Sequence, residues 1–138
     1  MIIFEKIIPN ENQLEKLYFL LKNKKYSISH NKIPSLEEHK KFVLDNPYIE
    51  WYLLYKDRNL LGSIYFHTDN SIGLNLSHPK KDDILEIINT FKKNHYPLSS
   101  IKSVRRGEFF INISPDDINM IQILKQLNKK EIQCSFTI

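Results

Sequence analysis

Four side chains combine proton-transfer chemistry with positions from which they could act on a substrate. His78 lies in a predicted loop, where an imidazole near neutral pH can act as a general base. Tyr65 and His67 are two residues apart on a predicted strand, so their side chains share one face and could form a polar pair. Glu108, like Glu50, begins a predicted strand, and its carboxylate could orient a water molecule as base. These four residues are the candidate catalytic set, and each could instead be a packing or solvated residue.

A second chemical signal is the lysine pair Lys80 and Lys81, which falls in the predicted first turn of a helix. A helix N-terminus presents free main-chain N–H groups and the positive end of the helix dipole, and acidic residues are normally preferred there. Two cations at such a helix end could strengthen an anion-binding site. The alternative is a solvated doublet whose charge is neutralised by Asp82 and Asp83.

Three further residues are candidates for contact with a substrate. His39 lies between Leu36 and Val43 on the apolar face of a predicted helix, where it is either a packing residue or a substrate contact. His30 lies in a predicted loop near the expected cleft or simply at the surface, and Trp51 belongs to the core or to the cleft wall. The histidines show no metal-ligand spacing, so no metal site is expected.

Capping residues and hydrophobic periodicity predict the elements that must position these side chains. Asn10 and Ser35 are typical helix caps, each followed three residues later by Gln or Glu as in a capping box. Runs rich in β-branched and aromatic residues predict strands, three of which form an antiparallel meander. In the first half of the chain, the predicted elements are a strand over 2–8, helices from Asn10 and from Ser35 to about Leu44, and meander strands over 50–55, 60–67 and 72–76.

The second half of the chain alternates helices and strands. A helix opens at residues 77–79 with Pro79 in its first turn, and a loop follows over 94–106. A strand over 108–113, a helix capped by Asp117 and a final strand over 131–138 complete the chain, and Cys134 is expected to be a small buried residue of that last strand. The order β-α-α-β-β-β-α-β-α-β predicts one α/β domain over 1–138, with a mixed sheet and helices on both faces.

Length and composition argue against several classes of function. The 138 residues (16.5 kDa) suit one globular domain, and no apolar run approaches the ~20 residues of a membrane span. The lone cysteine excludes an internal disulfide and a Cys-rich zinc site, and without a leader pattern a reducing cytoplasm is the expected compartment. The net charge of +4 comes mainly from lysines scattered as doublets, which is not the pattern of a dedicated nucleic-acid binder.

Five segments, in order along the chain, resemble sequence motifs of one known family. Residues 34–42 are similar to a second-helix segment of bacterial proteins that act on amino sugars or protein N-termini. Residues 51–54 and 61–65 resemble the central hairpin of the same family, and residues 111–115 and 127–133 resemble its carboxyl-terminal block. The family is the GCN5-related N-acetyltransferase (GNAT) superfamily. Because the order of elements is also the same, the resemblance covers nearly the whole chain and implies a GNAT-like (acyl-CoA N-acyltransferase) fold.

The resemblance implies acetyl transfer from acetyl-coenzyme A to a small amine such as an amino sugar. In the family the coenzyme binds where the fourth strand runs into the third helix, which corresponds here to Asn75, Leu76, Ser77, Lys80 and Lys81. A main-chain N–H group near Asn75 would stabilise the oxyanion, and a water or a histidine would be the base.

The chain departs from the family's pattern at two places. The glycine-rich pyrophosphate loop corresponds to residues 76–84, which contain no glycine, and Pro79 removes one N–H donor. The tyrosine that protonates the leaving thiolate in many members corresponds to Leu124, which has no proton to give. Two hypotheses for the function therefore remain: a divergent acetyltransferase and a catalytically silent binding protein with the GNAT fold. Nucleic-acid binding is a third hypothesis. A protruding edge strand at the carboxyl end could also pair two copies into a homodimer.

Overall fold

Five strands and four helices make up the part of the chain that the computed structural model describes, residues 1–26 and 32–138. The strands are β1 (Ile2–Lys6), β2 (Glu50–Lys56), β3 (Asn59–Phe66), β4 (Ser71–Leu76) and β5 (Phe110–Ile111). The helices are α1 (Glu11–Lys22), α2 (Leu36–Leu44), α3 (Lys81–Asn94) and α4 (Ile118–Gln126). The strands lie side by side in sequence order, antiparallel from β1 to β4, with β5 parallel to β4. The predicted mixed sheet and its meander are therefore confirmed.

The two helix caps predicted in the first half of the chain form hydrogen bonds. The side-chain oxygen of Asn10 accepts the N–H of Gln13 at 2.9 Å. The hydroxyl of Ser35 accepts the N–H of Glu38 at 3.2 Å and donates to its carboxylate at 3.0 Å. The carbonyl oxygen of the Gln13 side chain instead accepts the N–H of Ile8 at 2.7 Å, so it secures the chain that enters α1. These caps satisfy N–H groups that the first helical turn leaves unpaired.

The helices cover both faces of the sheet, as predicted. On one face, Leu14, Leu17 and Leu20 of α1 and Val43 of α2 pack against Leu53 of β2. On the other face, α3 and α4 cover the sheet through two further clusters of buried apolar residues. Those clusters contain Ile2, Leu54, Ile64, Phe66, Ile72, Ile87 and Phe91, and Ile84, Met120 and Ile123.

Asn70, in the turn between β3 and β4, ties a distant segment to the sheet. It is fully buried and has a φ of 71°, in the left-handed region. Its amide nitrogen donates to the carbonyl oxygens of Leu98 (2.9 Å) and Arg106 (2.8 Å). Its amide oxygen accepts the N–H of Leu98 at 2.7 Å, and its main-chain oxygen accepts the N–H of Phe110 at 3.3 Å. One side chain thus places the loop before β5, and with it β5 itself, beside β4.

Two boundaries predicted for the second half are wrong. Helix α3 begins at Lys81 with Lys80 as its cap, rather than at residues 77–79, because Pro79 lies before the helix and not in its first turn. Strand β5 comprises only Phe110 and Ile111, rather than residues 108–113. Its ladder with β4 is two residue pairs long, and the chain leaves the sheet immediately afterwards.

The final strand predicted over 131–138 is not formed. All eight residues are exposed, and none belongs to a ladder within the described ranges. A strand needs a neighbour for its main-chain N–H and C=O groups, and in this chain residues 131–138 and β5 are not paired with each other. The expectation that Cys134 is buried is wrong for the same reason, since its side chain is exposed.

None of the described helices is long and apolar enough to cross a bilayer.

Candidate active site

Strands β4 and β5 separate after a short ladder and leave a gap between them. The paired residues are Ser71 with Phe110 and Ile72 with Ile111. Beyond that point the side chain of Leu74 packs with α3 and α4, and no strand of the described ranges pairs with this side of β4. The main chain at the carboxyl end of β4 therefore has a free edge.

The register between β3 and β4 decides which groups face this gap. Antiparallel strands alternate hydrogen-bonded and non-bonded pairs. The N–H of Ser77 donates to the oxygen of Leu61 at 3.0 Å, which places Asn75 among the residues whose main-chain groups face β3. The N–H groups of Leu74 and Leu76 therefore point into the gap, on either side of Asn75.

Gly62 allows β4 to approach β3 at this point. A Cβ atom on Gly62 would lie 1.9 Å from the carbonyl oxygen of Asn75 and 2.9 Å from the Cα of Leu76, both main-chain atoms. The Asn75 side chain also donates to the carbonyl oxygen of Leu20 in α1, at 3.4 Å. The end of β4 is thus held from β3 and from α1.

The N-terminus of α3 lies beyond the end of β4. The Lys80 side chain makes no cap hydrogen bond, and Lys80 and Lys81 are both exposed. Asp83, in the first turn, is buried and forms an ion pair with Lys56 at 2.7 Å. This contact and the Asp83 charge raise the pKa of Lys56. Because the Asp83 charge is compensated within the protein, it opposes an external anion less than an unpaired aspartate would.

An aromatic cluster occupies the sheet face that carries α1 and α2. Tyr48 is its centre: its ring stacks on Tyr65 with centroids 3.7 Å apart and packs edge-on against Trp51 at 5.0 Å. His67 lies edge-on to Tyr48 at 5.9 Å, and Phe42 packs against Trp51 at 6.1 Å. The structure therefore brings together Tyr65, His67 and Trp51 of the predicted site, with Tyr48 between them.

Tyr65 also lies directly against β4. A Cβ atom on Gly73 would lie 2.1 Å from the Cζ atom of Tyr65, so the ring covers the main chain of Gly73, the neighbour of Leu74. Burial, and next the charge and hydrogen bond of Tyr65, raise the pKa of Tyr48. The Tyr48 hydroxyl thus stays protonated at neutral pH. The aromatic cluster forms a wall beside the gap and offers hydroxyl donors.

The neutral ring of His67 can only donate a hydrogen bond to other groups, because its acceptor nitrogen is already used. Its Nδ1 accepts the N–H of Thr68 at 3.0 Å, so the hydrogen-bond pattern assigns the proton of the neutral ring to Nε2. A neutral His67 with this tautomer has no free acceptor for a substrate proton. Within the described residues, the buried Nε1 of Trp51 has no hydrogen-bond partner, which marks an unmet donor in the same cluster.

The other candidate residues lie outside the aromatic cluster. Glu108 is exposed, 3.9 Å from Arg106, and His78 is exposed in the segment between β4 and α3, as is Ser77. His39 is buried against Tyr18, and burial lowers its pKa, although a hydrogen bond with the Leu14 main chain acts the other way. His39 is thus a neutral packing residue. His30 lies outside the described residues.

A separate polar cluster fastens the end of α3 to β2, on the opposite face. His95 contacts the Phe91 carbonyl oxygen through Nδ1 (3.0 Å) and the Glu50 carboxylate through Nε2 (2.8 Å). Tyr52 also donates to Glu50. Burial alone would raise the pKa of Glu50, but the hydrogen bonds of Tyr52 and His95 and the charges of His95 and Lys6 outweigh it and lower the pKa. Glu50 is therefore an ionised structural residue.

Neither a metal cluster nor a helical proton donor accompanies the gap. Over residues 1–26 and 32–138 there is no group of three or more side chains that could ligate a metal ion. Leu124, at the position of the family's tyrosine, packs with Ile84, Met120 and Ile123. Sequence reasoning missed Tyr48, whose only signal is its aromatic type just before a predicted strand.

No family model and no curated protein matches this sequence. Solved structures do match its fold. The N-acetyltransferase PseH of Campylobacter jejuni, in complex with acetyl coenzyme A, has a TM-score of 0.64 at 14% identity over 98% of this chain and 92% of that one. The aminoglycoside N-acetyltransferase AAC(6')-Iy, in complex with CoA, has a TM-score of 0.62 at 12% identity over 100% and 93%. The spermidine/spermine N-acetyltransferase SpeG of Vibrio cholerae has a TM-score of 0.53 at 12% identity over 92% and 78%.

These three proteins are N-acetyltransferases whose fold is similar to that of this chain at low identity. The structural match covers nearly all of this chain, and so do the sequence segments that resemble the family. The likeness establishes the fold, and the chemistry has to be argued from the site. The chain has the fold of the GCN5-related N-acetyltransferases.

Proposed function

We propose that this chain transfers an acetyl group from acetyl-coenzyme A to the primary amine of a small, sugar-like acceptor. The observation that carries the proposal is the gap between β4 and β5, which the free N–H groups of Leu74 and Leu76 face and beside which the Tyr65 ring covers Gly73. Neighbours of the same fold were solved with acetyl coenzyme A or CoA, which supports a ligand of that type here.

The residues present fit such a ligand. The free edge of β4 offers main-chain partners for the amides of an extended arm. The first turn of α3 offers N–H groups, and Lys80 and Lys81 offer positive charge, for a pyrophosphate. The exposed carboxylate of Asp82 opposes an anion at the same turn, so the two lysines have to compensate for it. No glycine lies between Gly73 and Gly107, so the helix turn, and not a glycine loop, would contact the phosphates.

The thioester supplies an activated acyl carbon, and the chain's own residues position and polarise it. One N–H group of the β4 edge, that of Leu74 or of Leu76, would donate to the oxygen that gains charge as the amine attacks, because donors two residues apart on a strand are about 6.6 Å apart and cannot both reach one oxygen. Tyr65 would hold the amine beside β4. Water is the base in this arrangement, because Nδ1 of His67 is occupied and Tyr48 stays protonated. Leu124 has no proton to offer, and none is needed there because an alkyl thiolate is a good leaving group with a thiol pKa of about 8.5.

The aromatic cluster favours a ring-shaped acceptor. Tyr48, Trp51 and Tyr65 present aromatic rings that could pack against the apolar face of a sugar, and the two tyrosine hydroxyl groups could bond to its edge. The rings that pack on Tyr48 are those of Phe42, Trp51, Tyr65 and His67, whereas a polyamine would need carboxylates for its several charges. We therefore place amino sugars before polyamines as the acceptor class.

Replacing both Lys80 and Lys81 with alanine is expected to weaken acetyl-coenzyme A binding roughly 5- to 30-fold, the equivalent of about 1–2 kcal/mol for two exposed charges. Calorimetric titration at low salt measures the change. The matched control is Lys92→Ala with Lys93→Ala, which removes the same charge from the other end of α3 and should leave affinity unchanged. Equal affinities for both double variants would contradict the assignment of the phosphates to this turn.

Acetylation of an amino sugar, measured as thiol release, is expected for the wild-type chain, with a diamine a poorer acceptor. Tyr65→Ala should raise the KM for the sugar roughly tenfold, since one aromatic contact contributes about 1–1.5 kcal/mol. Tyr96→Ala is the control because Tyr96 is exposed beyond the end of α3. A preference for the diamine, or an unchanged KM in Tyr65→Ala, would contradict the proposal that amino sugars are the acceptors.

A catalytically silent binding protein is the second candidate. It is favoured by Leu124 and by the absence of glycine from residues 76–84. Under that function acetyl-coenzyme A either fails to bind at millimolar concentration or binds without thiol release to any amine of the panel. The same two measurements therefore distinguish the candidates.

A further inference from the structure

A hollow of about 590 Å³ lies beside β5. Side chains along a strand alternate between the two faces of a sheet. Phe109 and Ile111 pack into the core beneath α3, so Phe110 and Asn112, which line the hollow, point to the opposite face. That face is the one on which α1 and α2 pack and on which the aromatic cluster lies. The hollow and the aromatic cluster are therefore on the same side of the sheet.

The strand register places the hollow next to the candidate active site. Ser71 of β4 pairs with Phe110 of β5. Two residues further along these parallel strands, Gly73 and Asn112 come side by side where the strands begin to separate. On its other side Gly73 pairs with Tyr65, whose ring covers it. A ligand that packs on Tyr65 therefore reaches Asn112 and the hollow by crossing only β4.

The lining of the hollow has an excess of positive charge. Lys102, Arg105 and Arg106 contribute to it. Within the described residues, Asp69 is the only acidic side chain of the lining, and its carboxylate already accepts a main-chain N–H at 2.8 Å. Glu108 lies outside the lining, 3.9 Å from Arg106. Because arginine presents paired N–H donors that match a phosphate or carboxylate group, the lining is suited to bind an oxyanion.

The loop that carries these cations is held in place by the protein itself. The Arg105 guanidinium donates through Nε to the carbonyl oxygen of Ser99 at 2.8 Å and through Nη1 to that of Thr68 at 3.3 Å, and neither bond uses Nη2. Two main-chain hydrogen bonds of 2.8 Å join Ile101 and Arg105. Asn70 fastens both ends of the loop, as described above. Donors fixed in this way lose little conformational freedom when a ligand binds.

We infer that the acceptor is an acidic amino sugar, and that Lys102, Arg105 and Arg106 bind its phosphate or carboxylate group. The inference rests on the acetyl transfer proposed above and adds a second contact for the same acceptor. The amine would lie beside Tyr65, and the sugar would cross β4 at Gly73 so that its acidic group enters the hollow. A neutral amino sugar makes only the first of these contacts. The positive lining also repels a polyamine, which carries several positive charges.

The first measurement is direct binding, which does not depend on acetyl transfer. Calorimetric titration at low salt compares glucosamine with glucosamine 6-phosphate and with glucosaminuronic acid, which carry their acidic groups at the same carbon. At least one acidic sugar should bind roughly tenfold more tightly than glucosamine, the effect of charge-assisted hydrogen bonds to one oxyanion. The tighter of the two identifies the group as phosphate or carboxylate. Equal or weaker binding of both acidic sugars would overturn the inference.

Double variants locate the contact. Lys102→Ala with Arg106→Ala should remove the advantage of the acidic sugar and leave glucosamine binding unchanged, because both side chains are exposed. Lys129→Ala with Lys130→Ala removes the same charge from an exposed doublet outside the lining and is the matched control. Lys80→Ala with Lys81→Ala tests whether the acidic group binds instead at the first turn of α3. If either of these two variants loses the advantage, or the first one keeps it, the anion site is not this hollow.

The acetylation assay separates this inference from the proposed function. If no sugar causes thiol release, acetyl transfer is contradicted, whereas the binding titrations still decide whether the hollow takes an oxyanion. If thiol is released, Lys102→Ala with Arg106→Ala should raise the KM for the acidic sugar roughly tenfold and leave kcat within a few-fold of wild type, since the loop touches no reacting atom. An unchanged KM would overturn the inference and leave the acetyl transfer standing.

Discussion

Replacing Asn70 with alanine is expected to lower the free energy of unfolding by about 3–5 kcal/mol. The side chain is fully buried, and its removal leaves the N–H and carbonyl of Leu98 and the carbonyl of Arg106 without their partner. Unsatisfied buried polar groups keep their full desolvation cost. Denaturant unfolding of the variant measures the loss.

Three further variants separate the causes of this effect. Asn70→Gly tolerates the positive φ but lacks the hydrogen bonds, so it should lose nearly as much stability as the alanine variant. Asn70→Asp keeps the shape and the acceptor but turns a carboxylate towards two carbonyl oxygens, and it should be no better. Asn89→Ala, at an exposed position of α3, should change little. Near wild-type stability in Asn70→Gly would show that the backbone conformation, and not the hydrogen bonds, decides the effect.

Replacing Gly62 with alanine is expected to lower kcat/KM for acetyl transfer roughly 10²-fold, because a displacement of about 1 Å at a reacting centre has an effect of that size. The added methyl group would meet the main chain of Asn75 and Leu76, which cannot rotate away as a side chain could. The end of β4 would have to move, and with it the N–H groups of Leu74 and Leu76 that face the gap. Steady-state kinetics of the folded variant measure the loss.

The matched control for this variant is Gly107→Ala. A Cβ atom there would lie 3.2 Å from the Cβ of Ser100, a contact that a small shift relieves, and it lies in the loop before β5. Its kcat/KM should stay within a few-fold of wild type, and thermal unfolding of both variants shows how much of each change is loss of folded protein. Full activity in Gly62→Ala would contradict the role of the β4 edge.

Local signals explain why much of the fold could be predicted. Asn10 and Ser35 cap helices through residues only three positions away, and the meander is set by turns a few residues long. The extent of β5 depends instead on Asn70, which lies 28 residues before Leu98 and 36 before Arg106. No local pattern reports such a contact. For the same reason residues 131–138 show strand alternation but form no strand in one chain.

The candidate site was only partly predictable because its position depends on where the ladder between β4 and β5 ends. Tyr65 and His67 were found from their two-residue spacing, but Tyr48, which joins them, lies outside the strand that carries Trp51. The donors Leu74 and Leu76 are recognisable only once the register with β3 is known. The catalytic roles suggested for Glu108 and His78 stay predictions: Glu108 is exposed beside Arg106, and His78 is exposed between β4 and α3, so neither belongs to the aromatic cluster.

Helix α3 is fastened to a single strand at both of its ends. Asp83 in its first turn pairs with Lys56 at the end of β2, and His95 just beyond its last turn pairs with Glu50 at the start of β2. A helix restrained at two points 12 residues apart cannot slide or swing relative to the sheet without breaking one of these two contacts. The N–H groups of its first turn are therefore aimed before any ligand arrives. Anion binding there should proceed without a closing motion and with little loss of conformational entropy.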